Sequence, residues 1–303
     1  YSLNLELFLV NNGYSFMKVN PLIIHQFLKT RSLRRTKTDK ADSLTIAKYL
    51  MSAPYKPNSD LLYTIFTLKS LCRARENLIK ERSKFAILLT NELDKSFPEL
   101  KPFFNNMIST TLLYILEKYT NTKHIATMKD YESIRKLSHG KFTYAKFAQL
   151  KELAKNSVGF SNENTDLLIS TYISIYNDFN NKIDPINKQI STIIKELNPR
   201  MLTIPGIGEI SAATILSEYG DIKNFSNSNK MLAFAGLDPS INQSGTLEYN
   251  GKMVKHGSGH LRYAIMNSAM AVLRFSPKFY DYYLKKRSEG KCHRVALSHV
   301  CKK

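Results

Sequence analysis

Leu61, Ile65, Leu68, Leu71, Leu78, Phe85, Leu89 and Leu93 recur at an approximate heptad, which predicts one long helix. Arg75 and Arg82 intrude on its apolar seam, and Phe97-Pro98 stops it. A second series, Leu168, Tyr172, Ile175, Phe179, Ile183, Ile186, Ile190, Ile193 and Leu197, steps by three and four almost throughout and predicts a second long helix. Pro185 lies inside it and is expected to kink or break it. The two seams can pair within one chain or between two copies, and the pattern leaves both open. Residues 99–160, between them, read as shorter helices separated by Lys, Ser and Asn.

The flanks have a different texture. The first sixty residues read as α/β: a helix around Leu5, Phe8 and Leu9, stopped by Asn11-Asn12-Gly13, then a short strand over Tyr14–Val19 closed by Asn20-Pro21. A second helix covers about Leu22 to Leu28. A third starts near Asp39, with Leu44, Ala47, Leu50 and Met51 on one face, and ends at Pro54 and Pro57. In the last hundred residues, Leu202–Leu216 has the form of a helix-hairpin-helix turn. Gly236, Gly245, Gly251, Gly257 and Gly259 then bracket a loop-rich segment, and a helix resumes at about Leu261.

Charge changes the picture. Lys and Arg number 44 against 25 Asp and Glu, a net +19, which points to a polyanionic partner. No run approaches the ~18 uninterrupted apolar residues of a membrane helix, and no charged-then-apolar leader opens the chain. Three cysteines are too few for a disulfide scaffold, so the expected setting is the reducing cytoplasm, with no membrane partner.

Several constellations then carry candidate chemistry. Pro205-Gly206-Ile207-Gly208 permits a tight turn into a helix whose free N–H groups can hold a phosphate; the plainer reading is an apolar αα-turn. Asp39 and Asp42, three apart at a helix start, share a face and suit a hard divalent ion, yet acids in a first turn also stabilise it by about 0.3–1 kcal/mol without metal. They sit in a basic run of Lys29, Arg31, Arg34, Arg35, Lys37 and Lys40 that can steer a phosphate backbone. Ser244, beside Gly245, is either a turn residue or a nucleophile that needs a metal or a neighbouring cation to activate it. Lys252, Lys255, His256 and Arg262 follow, as a solvated basic surface or as nucleic-acid contacts. Cys292, His293, His299 and Cys301 lack zinc-finger spacing and read as incidental.

Three ordered pieces resemble the IS110/IS116-type bacterial insertion-sequence transposases, also described as DEDD transposases. The first is Asn20-Pro21 followed by Lys37-Thr-Asp39-Lys-Ala-Asp42-Ser-Leu-Thr-Ile-Ala47, with Ser43 where Ala is usual. The second is Thr203-Ile-Pro-Gly-Ile-Gly208. The third runs from Phe234-Ala-Gly-Leu-Asp-Pro239 through Gln243-Ser244-Gly245 to Lys255-His-Gly257 and Leu261-Arg262. Order and spacing agree over essentially the whole chain.

The resemblance implies a mixed, mostly α fold. Residues 1–60 would form part of a RuvC-like (RNase H-like) α/β nuclease domain, 61–198 a helical coiled-coil region, and 199–303 a helical transposase domain with a helix-hairpin-helix and a catalytic serine. In the family four acids, Asp-Glu-Asp-Asp, bind Mg²⁺; Asp39 and Asp42 match the last two, and Ser244 matches the serine that becomes joined to a DNA strand. The implied partners are DNA, an element-encoded guide RNA pairing with donor and target, and further copies of the chain through the long helices. The implied location is cytoplasmic and nucleoid-associated. The family's first Asp and its Glu would lie before Tyr1 and its terminal helix beyond Cys301, so the 303 residues read as a fragment expected to bind nucleic acid without cleaving it. The rival reading is a non-catalytic helix-hairpin-helix nucleic-acid-binding protein, which would not need Mg²⁺.

Overall fold

The computed structural model describes residues 2–17, 19, 21–31, 38–52, 62–244 and 247–303. The described chain is mostly helical, with one two-stranded antiparallel sheet. It divides into two compact units, Tyr1–Lys69 together with Thr203–Lys303, and Ser70–Leu202.

Helix α1 (Ser2–Asn11) closes as its sequence suggests: the N–H groups of Gly13 and Tyr14 return to the Val10 and Leu9 carbonyls at 3.0 and 2.8 Å. Helix α2 (Pro21–Arg31) begins on a proline, whose missing N–H costs nothing at that position. It packs on α3 (Asp39–Ser52), with Phe27 edge-on to Tyr49 at 5.4 Å. The strand expected over Tyr14–Val19 does not form in residues 14–17 and 19. An extended segment becomes a strand only where another strand takes its N–H and C=O groups, and among the described residues none pairs with it. The expected apolar face of α3 is also displaced. Leu44, Leu50 and Met51 stay exposed, while Thr45 is buried, its hydroxyl satisfied by the Ala41 carbonyl at 2.7 Å.

Helix α4 (Leu62–Ser96) is followed by five shorter helices, α5 (Leu100–Phe103), α6 (Thr110–Lys118), α7 (Thr122–Thr127), α8 (Tyr131–Leu137) and α9 (Tyr144–Lys155). Helix α10 (Glu163–Leu197) matches α4 at 35 residues. The two long helices pair within one chain and run antiparallel. Arg75 Nε donates to Asn187 Oδ1 and Arg82 Nη1 to Asn180 Oδ1, both at 2.6 Å. Arg82 also lies over the Tyr176 ring, 5.5 Å from its centroid. The arginines that interrupt the apolar seam are therefore its polar rungs. Arg82→Ala is expected to lower the stability of this unit by about 1.5–3 kcal/mol, the range for a hydrogen bond to a charged group, read from the urea midpoint.

Along its first half α10 has two partners, so its buried stripe widens beyond the expected seam. Tyr172 and Phe179 meet Phe85 of α4 at 6.2 and 5.8 Å, while Ile169 and Ile173 enter a core with Leu89, Leu93, Leu112 and Leu150. Pro185 is exposed and the helix runs through it without a break. On the short helices, the Asp130 carboxylate accepts from the Lys118 ammonium, from Ser133 and from the Tyr114 hydroxyl, the last at 2.8 Å, and is held well below the usual carboxylate range. A depressed folded-state pKa contributes stability above the unfolded value of roughly 3.9, and that contribution is lost as pH falls below it. Asp130→Asn is therefore expected to flatten the acid limb of stability between about pH 5 and 2 in a urea titration.

After the 3₁₀ turn Arg200–Thr203 come α11 (Glu209–Tyr219), a second 3₁₀ turn (Ile222–Asn224) and α12 (Ser228–Ala235). The segment expected to be loop is a hairpin instead, β1 (Pro239–Ser244) with β2 (Leu247–Met253), paired from Ser244↔Leu247 back to Pro239↔Met253 with an irregularity between Pro239 and Ile241. Helices α13 (Gly259–Phe275), α14 (Pro277–Ser288) and α15 (His293–Cys301) follow. Leu237, Leu261 and Ala235 form one small core with Ile215 and Met253; Ala269, Leu297 and Val300 form another with Phe279, Tyr282 and Tyr283.

Candidate functional site

The Asp pair sits where α3 begins. Thr38 is the cap: its Oγ1 accepts from the Ala41 N–H at 3.2 Å and its carbonyl from the Asp42 N–H at 2.9 Å. With the cap supplied by Thr38, neither Asp39 nor Asp42 is needed to cap the helix. Asp39 is exposed and Asp42 half-buried, and among the described residues neither has an ion-pair or side-chain hydrogen-bond partner. Two unpartnered oxygen donors one turn apart fit a hard cation that keeps waters and substrate phosphate as its other ligands. Among the described residues no third Asp, Glu, His or Cys joins them.

Of the basic run, Lys29 is exposed near the end of α2 and Lys40 is exposed in the first turn of α3. Arg31 is the last residue of α2. Arg34, Arg35 and Lys37 lie outside the described residues.

The two glycines of the Pro205–Gly208 turn have different surroundings. Gly206 has φ +99°, and a Cβ there would stand 2.8 Å from the Ala271 carbonyl carbon and the Val272 nitrogen, so its lack of a side chain lets the turn lie on α13. Gly208 caps α11, is exposed, and a Cβ on it would meet nothing within 4 Å. Only Gly208 leaves the helix start open to a ligand.

Ser244 is the last residue of β1, in the pair next to the hairpin turn, and Lys252 lies near the far end of β2. Lys255 is exposed and takes φ +55°, its N–H reaching the Gly236 carbonyl at 3.3 Å. Arg262 is directed inward: Nη1 donates to the carbonyls of Ala235 and Gly257 at 3.0 and 3.2 Å. It clamps a place where two backbones touch, since a Cβ on Gly257 would lie 1.9 Å from the Phe234 carbonyl oxygen.

A buried acid beside this clamp gives no signal in the sequence. Glu218, on α11, accepts from the Ser258 hydroxyl at 2.9 Å and pairs with Lys69 at 3.3 Å. Ser258 Oγ in turn accepts from the Leu261 N–H at 3.3 Å, capping α13. Glu218 thus fixes the entry into α13 just after the Lys255–Gly257 turn. Its spacing on an amphipathic helix resembles that of any surface glutamate, so only the fold distinguishes it.

Known proteins match both ends of the chain. Residues 1–98 match the IS110 DEDD transposase family, and residues 198–284 the transposase IS116/IS110/IS902 family. The uncharacterized 43.6 kDa protein of insertion element IS110 from Streptomyces coelicolor is 28% identical over 134 residues, 44% of this chain and 33% of its own length. The transposase for insertion sequence element IS1111A of Coxiella burnetii is 30% identical over 124 residues, 40% of this chain and 34% of its own. These matches therefore span about a third of either relative. The pilin gene-inverting protein of Moraxella bovis is 24% identical over 309 aligned positions, covering 97% of this chain and 71% of that protein. With one family match at each end, in the order its motifs suggest, the chain belongs to the IS110/IS116/IS902 family of insertion-sequence transposases.

Proposed function

We propose that the chain carries the strand-transfer chemistry of a DNA transposase, with Asp39 and Asp42 as metal ligands and Ser244 as nucleophile. What carries the reading is that the α3 start and the β1–β2 hairpin, about two hundred residues apart in sequence, fall in one compact unit. In this reading residues 1–60 belong to a RuvC-like α/β nuclease domain, 61–198 form the helical region, and 199–303 form the transposase domain, where the Gly206–Gly208 turn acts as a helix-hairpin-helix contact to phosphate. Lys29, Arg31, Arg34, Arg35, Lys37, Lys40, Lys252 and Lys255 line the path of DNA and of a guide RNA, while Arg262, turned inward, holds the Lys255–Gly257 turn in place rather than contacting nucleic acid. Exposed Ile87 and Leu88 of α4 and Leu167 of α10 supply apolar surface for a homo-oligomer along the long helices.

The Ser244 hydroxyl forms a bond to phosphorus, and the phosphorus–oxygen bond to the departing strand breaks. That strand leaves as a hydroxyl, taking up one proton for the one the serine gives up. When bound at Asp39 and Asp42, Mg²⁺ supplies positive charge against the charge that builds on the phosphate. In a reaction with all four family acids, guide RNA, DNA and Mg²⁺ present, a covalent protein–DNA adduct is expected on a denaturing gel, and none without Mg²⁺. Salt-sensitive binding with no adduct in either condition would establish the non-catalytic binder instead.

A further inference from the structure

The family match ends at residue 284, inside α14, and a second basic run begins there. Residues 285–303 hold seven Lys and Arg against a single acid, Glu289. The fold gathers them: α14 and α15 pack on each other and on α13, so the end of one helix and both ends of the other share one region. Lys286 and Lys303, seventeen positions apart, both place their ammonium groups over the Tyr282 ring, at 5.6 and 5.5 Å. Lys286 is partly neutralised, with Glu289 oxygens at 2.9 and 2.8 Å. Among the described residues Lys291, Arg294, Lys302 and Lys303 have no acid partner, and Lys291, Arg294 and Lys303 are exposed. His299 registers the same crowding: burial, then Lys302, Lys286 and Lys291, hold it below its ordinary value, opposed only by Glu289.

Cations held together on packed helices without acid partners repel one another until an anion arrives. We propose that this face of α14 and α15 is a nucleic-acid contact of its own, gripping the phosphodiester backbone by charge without reading bases. It rests on the reading that the chain handles nucleic acid, and adds a surface outside the residues assigned above.

The test uses the 303-residue chain and fluorescence anisotropy with a 20-nucleotide duplex DNA and a single-stranded RNA of equal length, each titrated across salt. Replacing Lys291, Arg294 and Lys302 together by alanine is expected to lower the slope of log affinity against log salt by about 2 to 3, at about 0.9 per lost contact on duplex and 0.7 on single strands. Replacing Lys129, Lys136 and Lys155, an equal charge loss in the other unit, is expected to leave the slope unchanged. The Lys291→Arg, Lys302→Arg variant should keep the parental slope, separating charge from folding. A drop confined to the duplex assigns the face to DNA, and one confined to the single strand assigns it to RNA. An unchanged slope in the triple variant, with the parent still binding, overturns this proposal and leaves the broader function standing. An equal drop in the control overturns it as mere net charge. Failure of the parent to bind either probe overturns both.

Discussion

Gly257→Ala is expected to dismantle the region around α12, the hairpin and α13 while leaving the α4–α10 pair folded. A Cβ at that position would lie 1.9 Å from the Phe234 carbonyl oxygen, 2.6 Å from the Ala235 carbonyl carbon and 2.7 Å from the Gly236 nitrogen. All three are backbone atoms, so no rotamer change relieves the overlap. The end of α12 and the turn after β2 must separate, and the Arg262 bonds to Ala235 and Gly257 at 3.0 and 3.2 Å separate with them. Overpacking a fixed backbone and losing a charged clamp together should cost about 3 kcal/mol or more, a large part of a small domain's stability. Hydrogen exchange is the suitable measurement because it reports each element by itself. Amides of α12 and α13 should lose protection, and those of α4 and α10 should retain it. Gly208→Ala provides the contrast. With nothing within 4 Å of its Cβ, it should fold as the parent does, and any loss of nucleic-acid binding would then report the helix start itself.

Ser244→Ala is expected to abolish the covalent protein–DNA adduct while leaving binding and its salt slope unchanged. The hydroxyl is the only nucleophile this reading gives the C-terminal domain, so its removal should take the adduct below detection. Asp42→Ala should abolish the adduct as well, because a serine hydroxyl near neutral pH is a poor nucleophile without charge stabilisation of the phosphate. Ser240 is the internal control. It lies at the irregular end of β1, four residues from Ser244, and Ser240→Ala should keep the adduct. An adduct that survives Ser244→Ala but is lost in Ser240→Ala would move the nucleophile to the other end of the strand. Cleavage that survives both without any adduct would point to water as the attacking group.

The helices were the most legible part of the sequence, and the reason is local. A three-and-four spacing, the acids Asp39 and Asp42 in a first turn and a stop at Phe97-Pro98 lie within a few turns of the elements they define, and α4 and α10 end within a few residues of where the pattern puts them. The hairpin was missed because its glycines suggested loop; the signal that could have found it was Gly245-Thr246 between two short runs of strand-compatible residues. At the candidate site, the motif spacing identified Asp39, Asp42 and Ser244 as residues to examine, but Glu218 carried no mark, since a buried acid and a surface acid look alike in one dimension.

The sequence by itself determined the helical periodicities, the large positive charge and the ordered motifs that point to the family, all of which are short-range or additive properties. Only the tertiary structure decided which partners those elements take. It paired α4 with α10 inside one chain, and turned Arg75 and Arg82 from flaws in an apolar seam into bonds to Asn187 and Asn180. It separated Gly206, whose missing side chain admits α13, from Gly208, whose missing side chain leaves space open. It also grouped Tyr1–Lys69 with Thr203–Lys303. Each of these depends on contacts between residues far apart in the chain, where geometry and desolvation, rather than spacing, set the energy.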